Sequence, residues 1–154
     1  MYVYQFISHH LILVVPFIAA ALAQGIKISI RQKGQKLTIK DFFVFTYAGM
    51  PSGHSALVIS LTTIVALVEG LYSPLFAICL VFSSIIIADA MGLRNYLGQH
   101  GHTLNILVKD LKNDDVLDHR YPTLLEKIGH TPRQVLAGGL LGLVVSFLFY
   151  FLFR

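Results

Sequence analysis

The chain has little charge, a single cysteine and no tryptophan. Asp, Glu, Lys and Arg make up 13% of its 154 residues, against about 25% in an ordinary soluble domain. Because Cys79 has no partner in the chain, an internal disulfide framework is excluded and a buried small hydrophobe is the better interpretation. The net charge of +4 does not indicate nucleic-acid binding, since basic residues in so apolar a chain belong in loops beside a membrane.

Hydrophobic residues account for 55% of the chain and concentrate in four runs that approach the length of roughly 20 residues needed to cross a bilayer. These runs predict an all-α, polytopic membrane helix bundle of about four spanning helices, forming one integral membrane domain over residues 1–154. The second run is short for a span. The stretch 41–50 is apolar but too short to cross, which predicts an interfacial or re-entrant segment. The four runs are 11–26, 55–68, 71–88 and 135–153.

Basic residues cluster after the first run and between the third and fourth runs. Positive loops stay in the cytoplasm, so both clusters predict cytoplasmic loops, and residues 91–129 form a long loop on that side which we expect to contain an interfacial helix. We therefore expect an integral protein of the cell membrane with its site on the cytoplasmic side.

The segment AGMPSGHSA, residues 48–56, stands where the second helix is predicted to begin. Ser52 is a suitable N-cap, and Gly53 lets a backbone approach a ligand closely. A helix start favours an anion such as phosphate, and His54 could give a proton to a leaving oxygen. An ordinary helix cap beside an interfacial histidine explains this segment equally well.

A second helix start repeats this arrangement at Gly129-His130-Thr131-Pro132. Thr131 is a predicted N-cap and Pro132 a predicted first helical residue, with His130 just before them. Two histidines at helix starts on the same side favour a function: a neutral imidazole can attack phosphorus while the other protonates the departing alkoxide.

Asp89 lies near the end of the third run, where the helix dipole and the bilayer both disfavour a carboxylate. Arg94 is the nearest cation in sequence, and the pair is either structural or part of a site in which Asp89 orients a histidine or Arg94 while Arg94 binds phosphate. Lys27 is a further candidate for phosphate binding, with snorkelling to the headgroups as the alternative.

Two other features of the sequence, a cluster of histidines and acids and a pair of glycines, provide no candidate catalytic residue. His100, His102 and the acidic stretch up to residue 119 match no strong metal signature, so we predict no metal site there. Gly138 and Gly142 form a G-x-x-x-G pair that would let the fourth spanning helix pack closely against another helix or against a second copy in a homodimer.

Taken in order, these segments resemble the type 2 phosphatidic acid phosphatase and vanadium haloperoxidase superfamily, and most closely its divergent bacterial and plant branch. The resemblance implies that His130 becomes phosphorylated, that His54 assists leaving-group departure, and that amides around Ser52 and Gly53 hold phosphate oxygens without any metal or other cofactor. It is carried by QGIK at 24–27, GMPSGHSA at 49–56, EGLYSPLFA at 69–77, DAMGLR at 89–94, Leu104-Asn105, and GHTPRQVLAGGLLG at 129–142.

The chain departs from the superfamily pattern in three places. The usual Lys followed by Arg-Pro is absent, so Lys27 carries over only through the divergent branch; Leu124 replaces an arginine, and Gln134 replaces the aspartate that orients the nucleophilic histidine. We expect Asp89 and Arg94 to replace the missing acid and base. The resulting prediction is a membrane lipid-phosphate phosphatase that hydrolyses a phosphomonoester or diphosphate through a phosphohistidine; the alternative is a non-catalytic lipid-phosphate binder or transporter.

Overall fold

The computed structural model describes residues 2–30, 49–110, 123–126 and 128–153, and these contain α-helices and no strand. The prediction of an all-α membrane helix bundle is confirmed. The segment predicted at 41–50 lies outside the described residues except for its last two. The helices are α1, Tyr2–Ile30; α2, Gly53–Glu69; α3, Pro74–Met91; α4, Leu93–Asp110; and α5, Pro132–Phe153.

Three helical stretches in the described part of the chain are long and apolar enough to cross a membrane: His9–Ile30, Pro74–Lys109 and Pro132–Phe153. The second of these stretches contains α3 and nearly all of α4. The second predicted span is instead the shorter helix α2, whose 17 residues cover about 25 Å at 1.5 Å per residue. This is less than the roughly 30 Å of a bilayer's hydrocarbon core, so α2 is a short apolar helix among longer ones.

The helix α2 lies at the centre of the bundle and packs against α1, α3 and α5. The core contains alanines from α1 and α2 together with branched side chains from α1, α2 and α5, so the helices approach one another closely. Large apolar side chains such as Phe17, Ile85 and Leu148 point outward and are exposed, as expected for surfaces that face lipid. The core residues are Val15, Ala19, Ala23, Ala56, Ile64 and Val145.

The G-x-x-x-G pair of α5 packs against α2 of the same chain. Gly138 is buried against the backbone carbonyl of Ser52, and a Cβ atom at Gly142 would lie 2.6 Å from the carbonyl oxygen of Ala56. The two alternatives for this pair were another helix or a second copy, and the structure uses the first. The chain itself therefore covers both residues, and a homodimer through Gly138 and Gly142 stays a prediction.

Hydroxyl groups connect α2 to its two neighbours in the interior of the bundle. Ser60 and Ser146 bond through their Oγ atoms at 2.8 Å, which links α2 to α5. Thr62 Oγ1 lies 2.6 Å from Ser83 Oγ, which links α2 to α3. These buried polar groups are satisfied, as hydroxyls within an apolar bundle must be.

The predicted loop 91–129, within which a helix was expected, contains the 18-residue helix α4. This helix begins as soon as α3 ends. Gly92 separates the two: its N–H bonds to the Ala88 carbonyl at 2.8 Å, and its own carbonyl accepts the amides of Asn95 and Tyr96. Residues 123–126 then return along α4 towards the start of α5.

Candidate functional site

Four helix ends meet at one end of the bundle, and they carry the candidate residues. The C-terminal ends of α1 and α3 lie beside the N-terminal ends of α2 and α5, and the rings of His54 and His130 stand 5.7 Å apart between centroids, at an interplanar angle of 70°. The structure therefore brings together the two histidines that the sequence placed at separate helix starts. Their chemical roles remain predictions.

Ser52 caps α2, as predicted, and it is fully buried. Its Oγ accepts the amide of Ser55 at 3.3 Å and the hydroxyl of Ser55 at 3.1 Å. Its own N–H donates to the carbonyl of Gln134 at 3.0 Å. The Ser52 amide is thus already engaged, which corrects its expected role as a phosphate donor. The next amide, that of Gly53, has no hydrogen-bond partner among the described residues and remains suited to an anion.

The start of α5 is a capping box. Thr131 accepts the amide of Gln134 through Oγ1 at 3.4 Å, and the Gln134 side chain accepts the amide of Thr131 at 3.0 Å. Pro132 is the first helical residue, as predicted. Gln134, which stands where the superfamily has an orienting aspartate, therefore stabilises the helix start and forms no hydrogen bond to His130.

His130 lies just before this cap and is 3% exposed. Its backbone N–H donates to the carbonyl of Ala90 at 3.0 Å, which attaches it to the end of α3. Neither ring nitrogen has a hydrogen-bond partner of good geometry among the described residues. Burial, followed by the charge of Lys27, lowers the pKa of His130 from 6.5 to about 4, although the backbone of Gly129 acts in the opposite direction. The imidazole is therefore neutral at pH 7.

Lys27 lies in the last turn of α1, where the helix dipole favours a cation. Its aliphatic stem passes directly over Gly49, since a Cβ atom there would lie 2.9 Å from Lys27 Cδ. The charge of Lys27 interacts with both His54 and His130. Gly49 thus leaves room for the lysine to reach the histidines, a role that its place in the GMPSGH segment did not reveal.

Asp89 and Arg94 form the expected ion pair, with Arg94 Nε donating to Asp89 Oδ2 at 2.7 Å. Both side chains are about one-third exposed. The two terminal nitrogens of Arg94 form no hydrogen bond with a described residue, which leaves them for an anion. Arg94 interacts electrostatically with both histidines, and Asp89 with His54. Asp89 is therefore placed to hold Arg94 in orientation beside the histidine pair.

The described residues contain no group of three or more His, Cys, Asp or Glu side chains that could hold a metal ion. His102 instead pairs with Glu126, at 2.9 Å between Nδ1 and Oε2. The acidic part of the cluster considered above, residues 114–119, lies outside the described residues. Gln24, which belongs to the QGIK segment but received no role from the sequence, is 3% exposed one turn before Lys27. A polar residue at the end of an apolar run was the available signal.

The fold and the site define an integral membrane helix bundle with two histidines and two cations at one end. The profile of a family described as the Divergent PAP2 family matches residues 8–145, and the chain belongs to that family. It is also similar to the uncharacterized membrane protein YuiD of Bacillus subtilis (strain 168), with 36% identity over 119 residues that cover 71% of this chain and 75% of that protein. No solved structure matches the chain.

Proposed function

We propose that the protein is a phosphatase that hydrolyses a lipid phosphomonoester or diphosphate through a phosphohistidine. The observation that carries this proposal is the pair of histidines, 5.7 Å apart, at two helix starts. Family membership supports the same class of activity. The apolar surface of the bundle supports a lipid substrate, because a substrate with an acyl or prenyl tail can reach the site from within the bilayer.

In the first step, the lone pair of a ring nitrogen of neutral His130 attacks phosphorus. A P–N bond forms, the bond from phosphorus to the leaving oxygen breaks, and protonated His54 gives its proton to that oxygen. The low pKa of His130 supports this role, since the nucleophile needs no prior deprotonation at neutral pH.

In the second step, water attacks the phosphohistidine. His54, now neutral, takes a proton from the water, the P–N bond breaks, and phosphate leaves with His130 neutral again. Lys27, the terminal nitrogens of Arg94 and the Gly53 amide bind the phosphoryl oxygens, whose negative charge they stabilise. Asp89 orients Arg94 through the ion pair at its Nε. No step uses a metal ion.

Phosphate release from phosphatidic acid and from a prenyl diphosphate, each in mixed micelles with the purified protein, tests the proposal. We expect release by the wild type, loss to background in His130→Ala, and a fall of about 10²–10⁴-fold in His54→Ala. His10→Ala, which changes an exposed histidine of α1, serves as the matched control and should retain activity. Equal release by the wild type and both site variants would end the proposal.

The two histidine roles separate when the leaving group changes. With p-nitrophenyl phosphate, the departing oxygen needs no proton, so the defect of His54→Ala should shrink while that of His130→Ala persists. A chelator should leave wild-type release unchanged. A defect of His54→Ala that is the same for both leaving groups would remove His54 from the role of general acid.

A non-catalytic lipid-phosphate binder is the second candidate. It is favoured by one observation: Gln134 belongs to the capping box, and no acceptor among the described residues orients the His130 ring. This candidate predicts that the wild type binds phosphatidic acid but releases no phosphate, and that Arg94→Gln weakens the binding. The same mixed-micelle experiment therefore decides between the two.

We also propose that the site faces the cytoplasmic leaflet of the cell membrane. The basic residues on either side of the site, at 27–40 and 94–133, support this orientation. A cysteine introduced at the exposed Thr123 in a Cys79→Ala background should react with an impermeant maleimide only from the cytoplasmic face of sealed vesicles. Labelling from the outer face would invert the orientation.

A further inference from the structure

The chain reaches His130 through a non-helical segment, and its described residues lie along α4. We call residues 123–126 and 128–130 the strap. Leu124 lies beside Asn105, Leu125 beside Gly101, Gly129 beside Asn95, and the amide of His130 bonds to Ala90. The strap thus runs antiparallel to α4, from its fourth turn back to the end of α3.

Asn105 holds the start of the strap through both atoms of its amide. Its Nδ2 donates to the carbonyl of Leu124 at 2.9 Å, and its Oδ1 accepts the amide of Leu124 at 2.9 Å. The same Nδ2 donates to Glu126 Oε1 at 2.9 Å, and Glu126 in turn contacts His102. A side chain that bonds both backbone groups of one residue fixes the register of the segment, as a strand partner would.

Two glycines of α4 make room for the strap. The backbone carbonyl of Glu126 lies in close contact with Gly98, and a Cβ atom at Gly101 would lie 2.9 Å from the carbonyl oxygen of Leu125. Any side chain at either position would push the strap away from α4. The glycines are therefore needed for this close approach.

We propose that Asn105 is a positioning residue, which holds His130 in the site by fixing the strap on the glycine groove of α4. The link is short, because five residues separate Leu124 from His130 and both ends are bonded to the α3–α4 unit. Asn105 itself touches neither histidine ring among the contacts described. This inference rests on the proposed function as far as turnover is concerned, whereas the placement of His130 stands independently of it.

The first measurement is the rate at which diethylpyrocarbonate modifies His130, read by mass spectrometry on the full-length protein in detergent micelles. His130 is 3% exposed and should react slowly in the wild type. We expect the rate to rise by about tenfold or more in Asn105→Ala, the factor that 1.4 kcal/mol of lost stabilisation gives. An unchanged rate in a folded Asn105→Ala protein would overturn the proposal.

Gly101→Ala displaces the strap from the opposite side and covers the case in which Asn105→Ala does not fold. Alanine strengthens an isolated helix relative to glycine, so faster modification of His130 in this variant cannot come from a weaker α4. Gly139→Ala is the matched control, because its Cβ would meet only Ile59 Cγ1 at an ordinary 3.6 Å. Protection of His130 in Gly101→Ala equal to that in Gly139→Ala would also overturn the proposal.

A rescue separates positioning from a general loss of stability. Asn105→Asp keeps the acceptor for the Leu124 amide but places a carboxylate against Glu126, so His130 should become reactive. Adding Glu126→Gln restores a donor and acceptor pair with reversed polarity and should recover part of the protection. Ser146→Ala, which weakens the bundle interior at a site remote from the strap, should leave the His130 rate within about twofold.

Turnover is measured on the same variants, and it separates the two proposals. If the wild type releases no phosphate but Asn105→Ala still exposes His130, the phosphatase proposal fails and the placement of His130 by Asn105 holds. If the wild type is active and Asn105→Ala lowers neither kcat nor the protection of His130, the phosphatase proposal holds and the positioning role fails. We expect kcat to fall in Asn105→Ala with a smaller change in KM, because the phosphate-binding cations stay in place.

Discussion

The starts of α2 and α5 use similar caps but hold their histidines differently. Each begins with a hydroxyl residue, Ser52 or Thr131, whose Oγ accepts an amide of the first turn. His54 is part of α2 itself, whereas His130 precedes α5 and depends on the strap. A helix sets the position of one ring, and tertiary contacts set the other. The second ring is therefore the one that distant substitutions can displace.

The largest effect is expected where the two starts touch. In Gly138→Ala the new Cβ would meet the backbone carbonyl of Ser52. Because the backbone of this buried residue cannot move aside easily, we expect a loss of about 1–3 kcal/mol in stability. The neighbouring Gly139→Ala, whose Cβ would make only an ordinary 3.6 Å contact with Ile59 Cγ1, should be neutral or stabilising. Thermal unfolding in detergent measures both; equal melting temperatures would show that the starts do not need this contact.

The next effect compares the two caps. Ser52 is fully buried and also accepts the hydroxyl of Ser55, so Ser52→Ala leaves a buried hydroxyl without its acceptor and should cost about 1–3 kcal/mol. Thr131 is exposed, and Thr131→Ala should cost about 1 kcal/mol. The same unfolding experiment ranks them. A larger loss in Thr131→Ala would reverse our account of which start is more tightly built.

A smaller effect on stability is expected at the ion pair beside the two starts. Asp89→Asn removes a partly exposed salt bridge and should change stability by less than about 1 kcal/mol. Because Arg94 then loses its fixed orientation, the rate of phosphate release per folded molecule should fall although most of the protein stays folded. Asp89→Ala beside Asp89→Asn serves as the comparison. A fall in activity that matches the loss of folded protein would make the pair structural.

The smallest effect of a substitution is expected at Lys27, whose charge acts on His130. Burial and then the Lys27 charge lower the pKa of His130 to about 4, so Lys27→Gln should raise this pKa but leave it below 6.5, because the burial remains. Since the unfolded chain takes up the proton more readily, stability should fall as the pH drops from 6.5 towards 4 and level off below. Titration of ¹⁵N-labelled histidine by NMR, with His130→Gln for assignment, checks both. A pKa of His130 near 6.5 in the wild type would contradict the burial.

Much of this end of the bundle could be predicted from the sequence, because local chemistry determines it. Helix starts are indicated by the residue types of Ser52, Thr131 and Pro132. The carboxylate of Asp89 needs a cation, and Arg94 supplies it. The apolar runs predicted the helical bundle for the same reason, since a long apolar stretch has few alternatives to a membrane helix.

What could not be predicted depends on contacts between distant parts of the chain. Nothing in the neighbourhood of Gln134 shows that its carbonyl accepts the Ser52 amide, and the use of Gly138 within the chain rather than between copies is a matter of which helix comes nearest. The first of these contacts is the reason why the Ser52 amide is not available to a phosphate. The strap was hidden for the same reason, because Asn105 and Leu124 are 19 positions apart.

The 17-residue length of α2 affects how deep in the bundle its N-terminal end lies. The N-terminal end of α2 packs against α5, so its backbone groups do not face lipid. It can therefore lie deeper in the bilayer than the ends of the longer helices around it. Each residue added to or removed from α2 would move that start by about 1.5 Å along the helix axis. For the proposed lipid substrate, the depth of His54 therefore depends on the number of residues in α2.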